Sequence, residues 1–164
     1  MSKFKAVWTV LLTCAGIALA TMSHAHDPSI EEKLKADKAC PKCKLAGVSL
    51  SGAELKGVNL AGADLRGADF SKADLSGADL TDADMAGADI SNGNFEGAIF
   101  KDADMSGVDA EHANFKGADL QNADLAGADI SFADLSGSNL ENAIMDAVQM
   151  EETKFDGAKG FEPY

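Results

Sequence analysis

The stretch ADLRGADFSKADLSGADLTDADMAGADI, residues 63–90, decides the fold. It repeats every five residues. Leu65, Phe70, Leu75, Leu80, Met85 and Ile90 hold one position of the repeat, and Ala63, Ala68, Ala73, Ala78, Ala83 and Ala88 stand two residues before them. Between each pair lies an aspartate: Asp64, Asp69, Asp74, Asp79, Asp84 and Asp89. The large apolar position recurs without a slip back to Leu45 and forward to Phe155, and only Ala110 is small in that series.

A five-residue period is neither that of a helix, near 3.6, nor that of a flat strand, which is 2. Split into two parts, it fits a chain that turns once per block. The alanine and the large residue share one face at spacing two, as in a short extended segment, and the aspartate faces the other way. Glycine closes many blocks, from Gly47 to Gly157, and supplies backbone angles that a corner needs. Each block is therefore expected to hold about three extended residues and a corner. A chain that turns the same way after every block winds into stacked coils. Leucine and phenylalanine then fill the bore and aspartate lines the walls, with backbone groups paired between coils. The expected class is an all-β solenoid, a parallel β-helix.

The motif A-D-L-x-G, as in Ala63-Asp64-Leu65-Arg66-Gly67 and Ala123-Asp124-Leu125-Ala126-Gly127, resembles the pentapeptide-repeat family. The resemblance spans residues 43–157. It implies a right-handed quadrilateral β-helix with four blocks per coil, hence nearly six coils and a rod about 28 Å long. Phe95, Phe115 and Phe155, with Leu135, would then share one column.

Residues 1–25 have the form of an export signal. Lys3 and Lys5 precede an uncharged run from Ala6 to Met22, and Ser23-His24-Ala25 offers a cleavage site. An uncleaved anchor and lipidation at Cys14 are the competing readings. The expected location is the periplasm or another extracytoplasmic compartment, without stable membrane insertion after cleavage. Residues 26–42 are expected to form a capping segment. Ser29 and Glu32 have capping-box spacing, and Ile30 and Leu34 lie on the face that would cover Leu45 and Leu50. Residues 43–157 form the repeat, and 158–164 a tail in which Phe161 and Tyr164 fold back as a modest cover.

The chain carries a net charge of −13. The charge is uneven: residues 26–62 hold six lysines against five acids, whereas residues 63–139 hold four basic residues against sixteen acids. Such a surface repels nucleic acid and anionic membranes and favours a basic protein partner. The simplest reading of the aspartates is that they keep a small rod soluble and blunt edge pairing.

Cys40-Pro41-Lys42-Cys43 is the constellation with the most chemistry. In an exported chain a local Cys40–Cys43 disulfide is the leading reading. A thioredoxin-like redox pair lacks its βαβ context, covalent haem lacks a histidine at residue 44, and zinc lacks a second cysteine pair. Reduced thiols complete the alternatives. No catalytic set is visible: the carboxylates sit in equivalent rows, and His26 and His112 have no partners placed by the pattern. No cofactor motif is present either. Asp64, Asp84, Asp104 and Asp124 would stack, as would Asp69, Asp89, Asp109 and Asp129, which makes them weak candidates for Ca²⁺. Ile99 and Ile144 replace the outward aspartate and form a possible docking patch.

The leading expectation is a non-enzymatic, exported scaffold or protein-interaction rod. The alternatives are a DNA-mimicking protein acting on gyrase, suggested by the resemblance and at odds with export, a divalent-cation-binding acidic rod, and a redox role for the cysteines. End-to-end stacking into oligomers follows if the coil ends are poorly covered.

Overall fold

The computed structural model describes residues 28–161. The signal segment, Cys14, His26, Asp27 and Tyr164 lie outside the described residues. The described residues begin with helix α1, Pro28–Asp37. Glu31 and Lys35 pair along it at 2.7 Å. Its end is set by Lys38, whose N–H donates to the Leu34 carbonyl at 2.9 Å and whose φ is 54°. Leu34 is buried and Ile30 is partly buried against the core, as the amphipathic pattern predicts.

After α1 the chain winds into a parallel ladder in which residue i pairs with residue i+20. Lys44 pairs with Asp64, Asp64 with Asp84 and Asp84 with Asp104, and the other three sides repeat the pattern. Twenty residues per coil is four blocks, so the cross-section is four-sided. In each block the outward residue bridges to its neighbours, the residue on either side of it carries the ladder hydrogen bonds, and the other two residues form the turn. The backbone of each corner fixes this pattern. The Phe70 carbonyl accepts from the Ala73 N–H at 3.0 Å, which closes a β-turn whose third residue, Lys72, has φ 61°.

The ladder also begins one block earlier than residue 43. Ala39 pairs with Asn59, and the Cys40 N–H donates to the Asn59 carbonyl at 2.7 Å. Cys40 thus takes a central position, and Lys42 is its corner, with φ 58°. At the other end Lys159 still pairs with Asn139, so the last coil runs past residue 157. Phe161 then folds back and stacks on Phe155, ring centroids 3.9 Å apart.

The bore is a continuous apolar column, from Leu45 through Phe70, Ile90 and Phe115 to Leu140. Ala110 is fully buried without a large side chain. Bulk at that level comes from Phe95, Phe100 and Phe115, whose rings pack at 5.4–5.7 Å from one another. Phe95 and Phe115 stack in adjacent coils, as the column register requires.

Candidate functional site

Every backbone N–H of a regular block has a partner, and the outward aspartate supplies one of them. In the block Ala68–Lys72, Ala68 donates to Leu65, Asp69 to Val48, Phe70 to Asp89 and Lys72 to Ser91. The remaining N–H, that of Ser71, donates to the Asp69 Oδ1 at 3.0 Å. The same bond recurs from Ser91 to Asp89, Ser106 to Asp104, Ala126 to Asp124 and Ser131 to Asp129. The aspartates are therefore structural acceptors as well as solvated charges. One carboxylate oxygen is held by the backbone, and Oδ2 is left for other partners: that of Asp69 accepts from the Ser49 hydroxyl at 3.3 Å and that of Asp64 from Arg66 Nη2 at 2.7 Å.

The coils line these carboxylates up. The first face carries Asp64, Asp84, Asp104 and Asp124 between Lys44 and Ile144. The second carries Asp69, Asp89, Asp109 and Asp129 between Ser49 and Gln149. Successive residues in each column are one strand spacing, ~4.8 Å, apart. The third and fourth faces are diluted with amides. There Asn94 donates to Asp74 at 3.3 Å, Asn114 to Asn94 at 2.9 Å and Asn139 to Asp119 at 3.3 Å. Amides relieve the repulsion of a stacked column, and the first two faces have no such relief.

The corner between the first and second faces carries Arg66, Ala86, Ser106 and Ala126, each followed by a glycine. It is built from Gly67, Gly87, Gly107 and Gly127, all at positive φ, and a Cβ on any of them would meet nothing within 4 Å. The corner beyond the second face instead carries Lys72, Asn92, His112 and Phe132, also at positive φ. His112 stacks on Phe132 there, centroids 4.9 Å apart. From Gly67 to Asn142 glycine and side-chain-bearing corners alternate, so glycine recurs every ten residues. Two acidic columns thus form a strip along an edge of glycines, with a cationic side chain at its Arg66 end. The five-residue reading placed both aspartate columns but not the glycine corner between them, whose signal is the ten-residue alternation of glycine.

Few cations lie along the strip. Arg66 grips Asp64 through Nε at 2.8 Å and Nη2 at 2.7 Å and reaches Asp84 at 3.4 Å. Those guanidinium hydrogen bonds hold the Asp64 carboxyl below its ordinary range. Lys56 pairs with Asp74 and Lys116 with Asp134, both at 3.1 Å and both on the third face. Burial works to raise these two carboxyls, but their serine hydrogen bonds and lysine partners outweigh it and hold both low. No ion pair involves the second-face aspartates among the described residues.

The remaining candidates are placed as follows. Among the described residues no group of three or more His, Cys, Asp or Glu is arranged to hold a metal ion. Ile99 is 40% exposed between Asp79 and Asp119 on the fourth face, and Ile144 is 45% exposed beside Asp124 on the first. They sit in different columns and do not form one patch. The Cys40 and Cys43 sulfurs meet, with Cα atoms 5.5 Å apart, a span a disulfide accommodates.

The repeat agrees with the comparisons. The chain belongs to the pentapeptide repeats family, which it matches in eight copies over residues 43–82, 65–102, 83–122, 103–142 and 123–159. Among solved structures, the pentapeptide repeat protein Rfr23 of the cyanobacterium Cyanothece 51142 is 22% identical. The match covers 78% of this chain and 95% of that one, with a TM-score of 0.54, and shows a shared fold. A pentapeptide repeat protein of the Arabidopsis thaliana thylakoid lumen is 32% identical over 60% of this chain and 66% of that one, with a TM-score of 0.45. HetL of Nostoc, a pentapeptide repeat protein involved in heterocyst differentiation regulation, is 27% identical over 74% and 69%, with a TM-score of 0.33. No curated protein matches the chain at a significant level.

Proposed function

We propose that this protein is an exported, non-enzymatic interaction rod: a right-handed β-helix of nearly six coils that binds a basic protein along the strip formed by its first two faces. The single observation that carries this reading is the pair of uninterrupted aspartate columns flanking the glycine corner of Gly67, Gly87, Gly107 and Gly127. Carboxylates fixed by backbone N–H groups lose little freedom on binding, so a row of lysines or arginines on a partner meets prearranged acceptors. Cys40 and Cys43 form a disulfide in the exported protein and brace the first block beneath α1.

The test separates charge from fold. Asparagine keeps the Oδ1 that accepts the backbone N–H and removes the charge. A variant with Asp84→Asn, Asp89→Asn, Asp104→Asn and Asp109→Asn is expected to melt no earlier than wild type and to lose a partner that wild type captures from the envelope in a salt-sensitive manner. Equal capture by both proteins would refute the strip as the binding surface. Mass spectrometry of the exported protein is expected to find a chain beginning at His26 with no free thiol. Retention of the signal, or thiols open to alkylation, would refute that part alone.

A further inference from the structure

Corners that carry a side chain in the left-handed region are mostly given to residues that tolerate it. Asn92, Asp102, Asn122 and Asn142 hold φ of 58°, 58°, 59° and 60°. Short polar side chains accept that backbone because they bond locally, as Asn122 does to Asp102 at 2.7 Å. Phe132 has the same backbone, with φ 61°. A bulky aromatic residue is at odds with it. Phe132 is also 36% exposed. The rod therefore holds a large apolar ring at a strained corner and in solvent, where asparagine would avoid both costs.

The ring is held firmly. One face stacks on His112, one coil back, with centroids 4.9 Å and planes 19° apart. The Phe132 N–H donates to the Glu151 carbonyl at 2.7 Å, so Glu151 and Glu152 lie in the coil beyond the other face. Among the described residues neither of those carboxylates has an ion-pair partner. On the second-face side stand Asp109 and Asp129, each with Oδ1 on a backbone N–H, at 3.1 and 2.9 Å. On the third-face side Lys116 is committed to Asp134 at 3.1 Å, and Lys154 faces outward in the next coil. A cation thus has its open approach from the second face.

We infer that the His112–Phe132 stack is the aromatic anchor of the acidic strip, and that it selects arginine over lysine on the basic partner. The inference rests on the reading of the strip as a surface for a basic protein, and adds which cation is seated and where. A guanidinium is flat and weakly hydrated, so it lies on a ring face while its N–H groups turn to carboxylates at the ring's edge. Phe132 offers that face towards Glu151 and Glu152, with Asp129 on the side of approach. An ammonium is a compact, strongly hydrated charge and gains less from the ring. The stack on His112 orients the ring before a partner arrives, so little ordering cost remains at binding.

Calorimetry of the purified protein with hexa-arginine and hexa-lysine peptides tests this, on wild type, Phe132→Asn and Phe132→Trp. Asparagine holds the same backbone conformation at Asn92, in the same corner, and at Asn142. Phe132→Asn is therefore expected to fold and to melt no earlier than wild type. Wild type is expected to bind the arginine peptide more tightly than the lysine peptide. In Phe132→Asn that preference should shrink about three- to fivefold, with the lysine affinity little changed. Phe132→Trp should keep the preference, because indole is the better face for a cation. A preference unchanged in Phe132→Asn would overturn the inference and leave the strip standing. Binding of neither peptide to wild type would remove the strip and this inference together. If Phe132→Asn does not fold, Phe132→Leu, which keeps an apolar side chain without the ring, decides by the same comparison.

Discussion

A Cβ placed on Gly93 would lie 2.5 Å from Cε2 of the Phe95 ring. The alanine that fills this position in neighbouring blocks is excluded here by the Phe95 ring, which packs on Phe100 and Phe115, and by the Ile90 carbonyl at 2.9 Å. Gly93 is thus the small member of a packing set that compensates for Ala110. Gly93→Ala is expected to destabilise the rod by about 1–3 kcal/mol through overpacking. Thermal melting measures it, and adding Phe95→Leu should recover part of the loss. An unchanged midpoint for the single variant would show that the ring moves freely.

The Asp89 Oδ1 accepts the Ser91 N–H at 2.9 Å. Asp89→Ala removes that acceptor and is expected to cost about 0.5–1.5 kcal/mol, whereas Asp89→Asn should cost much less. Amide exchange at Ser91 should accelerate in the alanine variant alone. Equal behaviour of the two variants would return the aspartates to a purely solubilising role.

Ser138 stands where most blocks have alanine, and its hydroxyl is buried without a hydrogen-bond partner among the described residues. Ser138→Ala is expected to stabilise the protein by about 1 kcal/mol, read as a rise in melting temperature. A fall would mean that the hydroxyl is satisfied by water in solution.

Acid should weaken the rod through particular carboxylates. Asp74 and Asp134 are held below their ordinary values in the folded state. A depressed folded pKa contributes stability that is present above the unfolded value, about 3.9, and is lost as pH falls through the folded value. Melting temperature is therefore expected to hold near neutrality and fall in the acid range. Lys56→Met and Lys116→Met should shrink that fall by removing the ion partners. A melting temperature that rises on acidification would reverse the sign and exclude this account.

Much of this was legible in the chain. The large residue at every fifth place dictates the bore, and Leu34 on the amphipathic face of α1 dictates its cover. The order of the Phe95, Phe115 and Phe155 column follows from four blocks per coil. Two features were harder to read. The block at Lys38–Lys42 lies in the ladder although Lys38 and Pro41 break the motif, because backbone bonds from Cys40 and Lys42 need no particular side chain. The acidic strip rests on which corners lack a Cβ, and a five-residue window averages that ten-residue alternation away. The aspartates' bond to the backbone was also hidden, since composition shows charge and not where one oxygen is spent.

The fixed pairing of residue i with residue i+20 sets what kinds of length change the protein can absorb. Excising one full turn would shorten the rod and leave every wall facing the way it did. Excising a single block would swing all downstream walls by a quarter revolution, so an aspartate column would run into an asparagine one and the acidic strip would be severed at the cut. Growth or loss by whole turns is consequently the only change in length that preserves a straight acidic edge.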